Sequence, residues 1–261
     1  MAPATLLSVF PSADGAVNFA RDEALLRRAR ATGETLIRLY AWSRPVVSFG
    51  RNERTAGRFS AGSVRAAGLD VARRPTGGRA LLHHRELTYA IGGPAGSGDT
   101  LRTTYLRLNA LLADALRRVG VAADVFAPAA ATAVPDGAPC FATPSAGELV
   151  VGGRKLVASA QWREAGAYLQ HGSILIDDDQ ALLTAAVEPG YVLPPVPAPA
   201  TLRSLVARVP TLDDLANAIA SAVAAVDGAT PGRIAPAQLV SEREVESRVT
   251  HYRDAAWTWR R

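Results

Sequence analysis

Glu148-Leu149-Val150-Val151-Gly152-Gly153-Arg154-Lys155-Leu156-Val157-Ala158-Ser159-Ala160 reads as two short strands around a glycine pair. Gly-Gly suits a two-residue hairpin, because both central positions of a type I′ turn need positive φ. The flanking strands are expected at 148–151 and 155–160. A third is expected at 168–176, in Tyr168-Leu169-Gln170-His171-Gly172-Ser173-Ile174-Leu175-Ile176. Consecutive hairpins imply antiparallel pairing. Outward from this block the apolar period changes. Leu101, Tyr105, Leu108, Leu112, Leu116 and Val119 recur at three- and four-residue steps, which predicts a helix over 101–119. A second helix is expected over 16–31, where Phe19, Leu25, Leu26 and Ala29 share a face and Gly33 supplies the stop. Between these helices, strands are expected at 35–42, 46–49, 71–73, 80–82 and 87–91, with a short helix at 60–67. Downstream, 181–187, 212–226 and 241–252 read as helices. The expected class is α+β: a mixed, largely antiparallel sheet flanked by helices, with the helices packed on one side.

Pro194, Pro195, Pro197 and Pro199 mark 191–201 as a Pro-rich linker. It divides a domain over 1–190 from a helical segment over 202–261. That segment is too short to bury a core of its own and is expected to pack on the same domain. The Ala- and Pro-containing stretch at about 127–139 is expected to be an irregular, exposed loop.

The chain has 261 residues, 48% hydrophobic and 20% charged. That balance excludes a disordered, collagen-like or coiled-coil chain. No apolar run approaches the ~18 residues of a membrane span, so no membrane partner is expected. The N-terminus lacks the basic and apolar blocks of a secretory signal, which makes the cytoplasm the expected location. The net charge is +5. No block of five or six consecutive basic residues accompanies it, and aromatics are only 6%. Nucleic-acid binding is therefore not expected.

Two singletons stand out. Cys140 is the only cysteine, which excludes an internal disulfide and a cysteine-rich metal site. Lys155 is the only lysine, since the other basic residues are all arginine. A lysine kept amid such an arginine bias suggests a need for a compact ammonium, which arginine cannot replace. A chance leftover is the plain alternative, and a buried structural thiol is the plain alternative for Cys140. Both residues fall in one segment.

Further chemistry is suggested by Arg73-Arg74-Pro75-Thr76-Gly77-Gly78-Arg79. Glycines let a backbone approach a ligand, and arginines can hold an anion. A tight turn with surface arginines is the competing reading. The small residues Ala158, Ser159 and Ala160 leave room against the lysine strand. Gly172 suggests close approach within a strand. His171, alone in that strand, reads as structural.

Together these segments resemble the biotin/lipoate protein ligase superfamily, and within it the lipoate-protein ligase A-like octanoyltransferases. The blocks carrying the resemblance are Arg73 to Arg79, His83 with Glu86-Leu87-Thr88-Tyr89, Cys140-Phe141, Pro144-Ser145, Glu148 to Val151, Gly153-Arg154-Lys155, Ser159-Ala160-Gln161 and Leu169 to Leu175. The resemblance implies the fold of that superfamily's catalytic domain. It implies Cys140 and Lys155 as catalytic residues. It adds Arg73, Arg74, Thr76, Gly77, Gly78, Arg79 and His83 to the substrate site, with Gly153, Ser159, Ala160, His171 and Gly172. One departure is His84, where the family usually has Asp.

The activity implied is transfer of an octanoyl group from octanoyl-acyl carrier protein to a lysine of apo lipoyl domains, in lipoate biosynthesis. The acceptors would be the glycine cleavage H protein or the E2 subunit of 2-oxoacid dehydrogenases. A Cys140 thioester would carry the acyl group. No metal and no cofactor are expected for this reaction, and a monomer is expected. One alternative is an ATP-dependent lipoate-protein ligase, which would use ATP and Mg²⁺ and form lipoyl-adenylate. Another is a non-catalytic lipoyl-domain-binding protein.

Overall fold

The computed structural model describes residues 4–128 and 137–260. Most of the loop expected at 127–139 lies outside the described residues. In chain order the elements begin β1 (Thr5–Val9), α1 (Gly15–Thr32), β2 (Thr35–Tyr40), β3 (Val46–Phe49), α2 (Ala61–Ala66) and β4 (Asp70–Arg73). Then come β5 (Leu81–His83), β6 (Glu86–Pro94), α3 (Leu101–Arg118), β7 (Asp124–Val125), β8 (Leu149–Val151), β9 (Arg154–Glu164) and β10 (Ala167–Leu175). A 3₁₀ turn, Gln180–Ala186, precedes α4 (Leu202–Leu205), α5 (Leu212–Asp227), β11 (Gly232–Arg233), α6 (Pro236–Leu239), α7 (Glu242–Arg253) and α8 (Ala255–Thr258).

Eight strands form one sheet in the order β11-β1-β2-β6-β10-β9-β8-β7. The pairs β11-β1 and β1-β2 are parallel, and those from β2 onward are antiparallel. A smaller sheet, β4-β3-β5, carries the start and end of the Gly-rich turn. The mixed, largely antiparallel α+β reading therefore holds. Helices on one side only do not. Leu36, Tyr40, Ala90 and Leu169 on one face pack against α1 and α7. Ile37, Leu39, Leu87 and Tyr89 on the other face pack against α3 and α5. The reason is burial: β2, β6 and β10 are covered along nearly their whole length, so both sets of alternating residues need partners.

Local chemistry sets the boundaries. Asp14 caps α1 by accepting from Val17 N at 2.9 Å, and Gly33 ends the helix at φ 73°. Gly152 and Gly153 have φ of 56° and 74°, the two left-handed positions of the hairpin that joins β8 to β9. Within 191–201, Ala200 is buried and its N–H donates to the Lys155 carbonyl at 2.9 Å. Arg73 Nε donates to the Thr258 carbonyl at 2.8 Å, so the C-terminal helices brace the approach to the Gly-rich turn.

Candidate active site

Cys140 lies on the loop before β8, and its N–H donates to the Ala80 carbonyl at 2.9 Å. This bond ties the loop to the segment just after the Gly-rich turn. Lys155 is the second residue of β9, and the glycine hairpin aims it back across β8 toward that loop. Its ammonium donates to the Cys140 carbonyl at 2.6 Å and stands 3.9 Å from Cys140 Sγ. The two singletons of the composition are thus in contact. Lys155 is only 3% exposed. Its counter-charge is Glu148, whose Oε1 is 2.7 Å from Nζ. Glu148 Oε2 accepts from Ser145 N at 2.7 Å.

Cys140, Lys155 and Glu148 border a cavity of about 250 Å³. Its walls include Ala158 and Ala160 from β9, Gly172 from β10, and Phe19 from α1. The cavity is small for a ligand pocket, since such sites run from about 300 Å³ upward. It suits a slender chain better than a bulky ring system.

The Gly-rich turn divides in two. Gly78 and Arg79 line the cavity, as does Arg74. Arg74 serves as a brace, donating to the carbonyls of Gly77 at 3.0 Å, Ser48 at 3.0 Å and Arg79 at 2.7 Å. Its burial lowers the guanidinium from its ordinary value. Arg73 turns away from the cavity to the carbonyls of Gly50 and Glu53, at 2.6 and 2.9 Å. Thr76 is also sealed off, and its Oγ1 lies 2.6 Å from His171 Nε2. Gly77 contributes the carbonyl that Arg74 holds. Gly153 stays in the exposed hairpin turn and acts on the site only by placing Lys155.

His83 and His171 line the cavity from buried networks. His83 stacks on Trp42 with ring centroids 4.1 Å apart. Its Nδ1 is 2.9 Å from Glu86 Oε1 and its Nε2 is 2.7 Å from Ser48 Oγ. Burial would push Glu86 up, yet the His83 charge and hydrogen bonds from His83, Thr88 and Ser173 outweigh it and hold the carboxyl below its usual range. His171 Nδ1 is 2.8 Å from Asp22 Oδ2. Burial lowers His171 from its ordinary value, despite that carboxylate. Ser159 Oγ meets Tyr89 OH at 2.7 Å. A Cβ at Gly172 would come within 2.6 Å of Tyr89 Cε1 and 2.8 Å of the Ala158 carbonyl. Its close approach is therefore to the protein itself. His84, at the departure from the usual Asp, is 2.8 Å from Asp179 Oδ2, so a carboxylate reaches this corner from the residue just before the 3₁₀ turn.

Residues 14–224 match the lipoyl protein ligase A/B catalytic domain family. The chain belongs to this family. It is 38% identical over 180 residues to Octanoyltransferase LipM of Kyrpidia tusciae, covering 66% of each protein. It is 41% identical over 185 residues to Octanoyltransferase LipM of Symbiobacterium thermophilum, covering 65% of this chain and 64% of that one. The match spans just under two thirds of the length of these relatives. The fold is similar to a crystal structure of lipoate-protein ligase A bound with ATP, at TM-score 0.75, 20% identity and 99% coverage of both chains. It is also similar to a bi-partite lipoate protein ligase of Thermoplasma acidophilum, at TM-score 0.72 and 19% identity over 98% of this chain and 96% of that one.

In this lipoyl protein ligase A/B catalytic domain, three contributors escaped the sequence reading of the site. Glu148 reads in the sequence only as part of a strand motif, and nothing local says that it meets Lys155. Asp22 lies on α1 and reaches the cavity wall through His171 at 2.8 Å and Tyr40 OH at 3.0 Å. Gly50 was invisible: a Cβ there would lie 1.9 Å from the Gly78 carbonyl, so two backbones touch behind the turn. A glycine just after the predicted strand 46–49 is the one local signal for it.

Proposed function

We propose that this chain is an octanoyltransferase working through a Cys140 thioester. The observation that carries the proposal is the Lys155 ammonium held 3.9 Å from Cys140 Sγ at the edge of a narrow cavity. The similarity to the LipM proteins supports the same reading. Cys140 acts as thiolate, which a neighbouring cation favours. Its sulfur attacks the thioester carbonyl of octanoyl-acyl carrier protein. The bond to the donor sulfur breaks, and the donor leaves as a thiolate that takes up the proton Cys140 gave up on ionising. A lysine ε-amine of an apo lipoyl domain then attacks the acyl-enzyme. The new C–N bond forms, the bond to Sγ breaks, the amine gives up its proton and Cys140 returns.

Lys155 and backbone N–H groups at the Gly77-Gly78 turn are the donors proposed for the oxyanion of each step. Gly78, Arg79, Ala160 and Gly172 are proposed to flank the acyl chain. His83, His171, Thr76 and Arg74 are proposed to hold those walls in place. An amide is more stable than a thioester, so ATP is not needed. The acceptors proposed are the lipoyl domains of glycine cleavage H protein or 2-oxoacid dehydrogenase E2. The +5 charge favours acidic protein partners. Among the described residues no helix is long and apolar enough to cross a membrane. Action in the cytoplasm is part of the same proposal.

The test is the intact mass of the protein after mixing with octanoyl-acyl carrier protein in the absence of ATP. One octanoyl group should be gained. No gain, with lipoate and ATP then modifying an apo lipoyl domain, would replace this reading with the ligase. Binding of a lipoyl domain with neither reaction would leave a non-catalytic partner. A second expectation concerns the lysine. Lys155→Arg keeps the charge but puts a larger planar group into a site whose ammonium meets Glu148 and the Cys140 carbonyl. Single-turnover acyl transfer should fall by about 10²-fold. A rate near that of the wild type would remove the special role of the only lysine.

A further inference from the structure

One carboxylate joins all the parts of the nucleophile's setting. Glu148 is 6% exposed and Lys155 3%, so their contact is made away from water. Glu148 Oε1 holds the ammonium at 2.7 Å, and Oε2 holds Ser145 N at 2.7 Å. Ser145 belongs to the same loop as Cys140, and the ammonium also grips the Cys140 carbonyl at 2.6 Å. The loop is therefore bound to Glu148 directly at Ser145 and through Lys155 at Cys140. The Phe141 ring covers the ammonium, 5.4 Å from Nζ.

We propose that Glu148 is a positioning residue that fixes the Lys155 ammonium beside the Cys140 sulfur and holds the nucleophile loop against β9. The proposal deepens the acyl-enzyme reading and rests on it for the role of Cys140. Its physical basis is the cost of an unpaired buried charge. Without the carboxylate the ammonium keeps a carbonyl partner but has lost its counter-ion. Such a group is no longer held in place and moves out toward water. The cation is then no longer fixed 3.9 Å from Sγ, and the thiolate loses its support.

Glu148→Gln tests this, because the amide has nearly the same shape and still offers an acceptor to Ser145 N. Two measurements are made on the full chain. The first is the rate of Cys140 alkylation by iodoacetamide at pH 7, which needs no acyl donor. The second is steady-state transfer, resolved into kcat and KM. Alkylation should slow by about tenfold, which is about 1.4 kcal/mol of thiolate support. kcat should fall by about 10²-fold while KM changes little. A purely structural role would leave the alkylation rate of folded protein unchanged. Unchanged or faster alkylation in Glu148→Gln overturns the proposal. If Glu148→Gln does not fold, Glu148→Asp decides: it keeps the charge but draws it back by one methylene. Slowed alkylation and lowered kcat are then expected, and wild-type values overturn the proposal. If wild-type protein forms no acyl-enzyme, the mechanism fails, while alkylation still reports whether Glu148 governs the thiol.

Discussion

Cys140→Ala should abolish octanoyl transfer and leave the fold intact. The substitution removes the sulfur and little else. The two contacts that fix the residue, Cys140 N to the Ala80 carbonyl and Lys155 to the Cys140 carbonyl, belong to the backbone. Alanine keeps both. The side chain is half-buried against the small cluster of Leu81, Phe141, Ala158 and Leu175, so its loss costs about 1 kcal/mol. That is small against the roughly 5–15 kcal/mol of a typical domain. Activity should drop by roughly 10⁴-fold or more, as when an enzyme loses its nucleophile. Single-turnover transfer to an apo lipoyl domain measures it, with the urea midpoint as the control for folding. Transfer above background in the folded variant would sink the covalent mechanism.

The largest loss of stability is expected at Arg38. Its guanidinium is fully buried and donates to Asp22 Oδ1 at 2.6 Å, the Asn18 carbonyl at 2.8 Å and Asn18 Oδ1 at 2.9 Å. Arg38→Met leaves Asp22 as a fully buried carboxylate, with Tyr40 OH at 3.0 Å and His171 at 2.8 Å as its remaining partners. Breaking one side of a buried ion pair costs about 3–5 kcal/mol. Urea unfolding should show the free energy of unfolding falling by that amount, through a lower midpoint at unchanged slope. Asp22→Asn with Arg38→Met should be more stable than Arg38→Met alone, because the orphaned charge is gone. Two variants of equal stability would contradict this account. The same pair reaches the cavity through His171 and Thr76, so Arg38→Met should also loosen the Gly-rich turn.

Much of this architecture was legible because its causes are local. The helix expected at 101–119 is Leu101–Arg118, and the one expected at 16–31 is Gly15–Thr32. The first has a strong apolar stripe, and the second has an Asp14 cap and a Gly33 stop around a face that also buries Asn18, Asp22 and Glu23. The glycine hairpin could be read from its turn chemistry alone. β1 was missed, because Thr5–Val9 is five residues with no turn signal and gains its place by pairing with β2 and β11. Covering of both sheet faces was missed because it depends on which strands become central. The site shows the same division. Cys140 and Lys155 stood out by composition and by resemblance. The roles of Arg73 and Arg74 did not, because in a sequence an arginine that binds carbonyl oxygens looks like one that binds a ligand. Glu148 and Asp22 act through contacts made only after folding.

The nine buried residues of β10 are bonded along both edges, to β6 and to β9. Their amide protons can exchange with solvent only when much of the sheet comes apart. The loop from Cys140 to Glu148 has no such ladder; it is held by separate bonds, among them Cys140 N to the Ala80 carbonyl and Ser145 N to the Glu148 carboxylate. The cavity is therefore bordered by two kinds of backbone, and hydrogen exchange should be slower in the β10 wall than in the loop that carries Cys140.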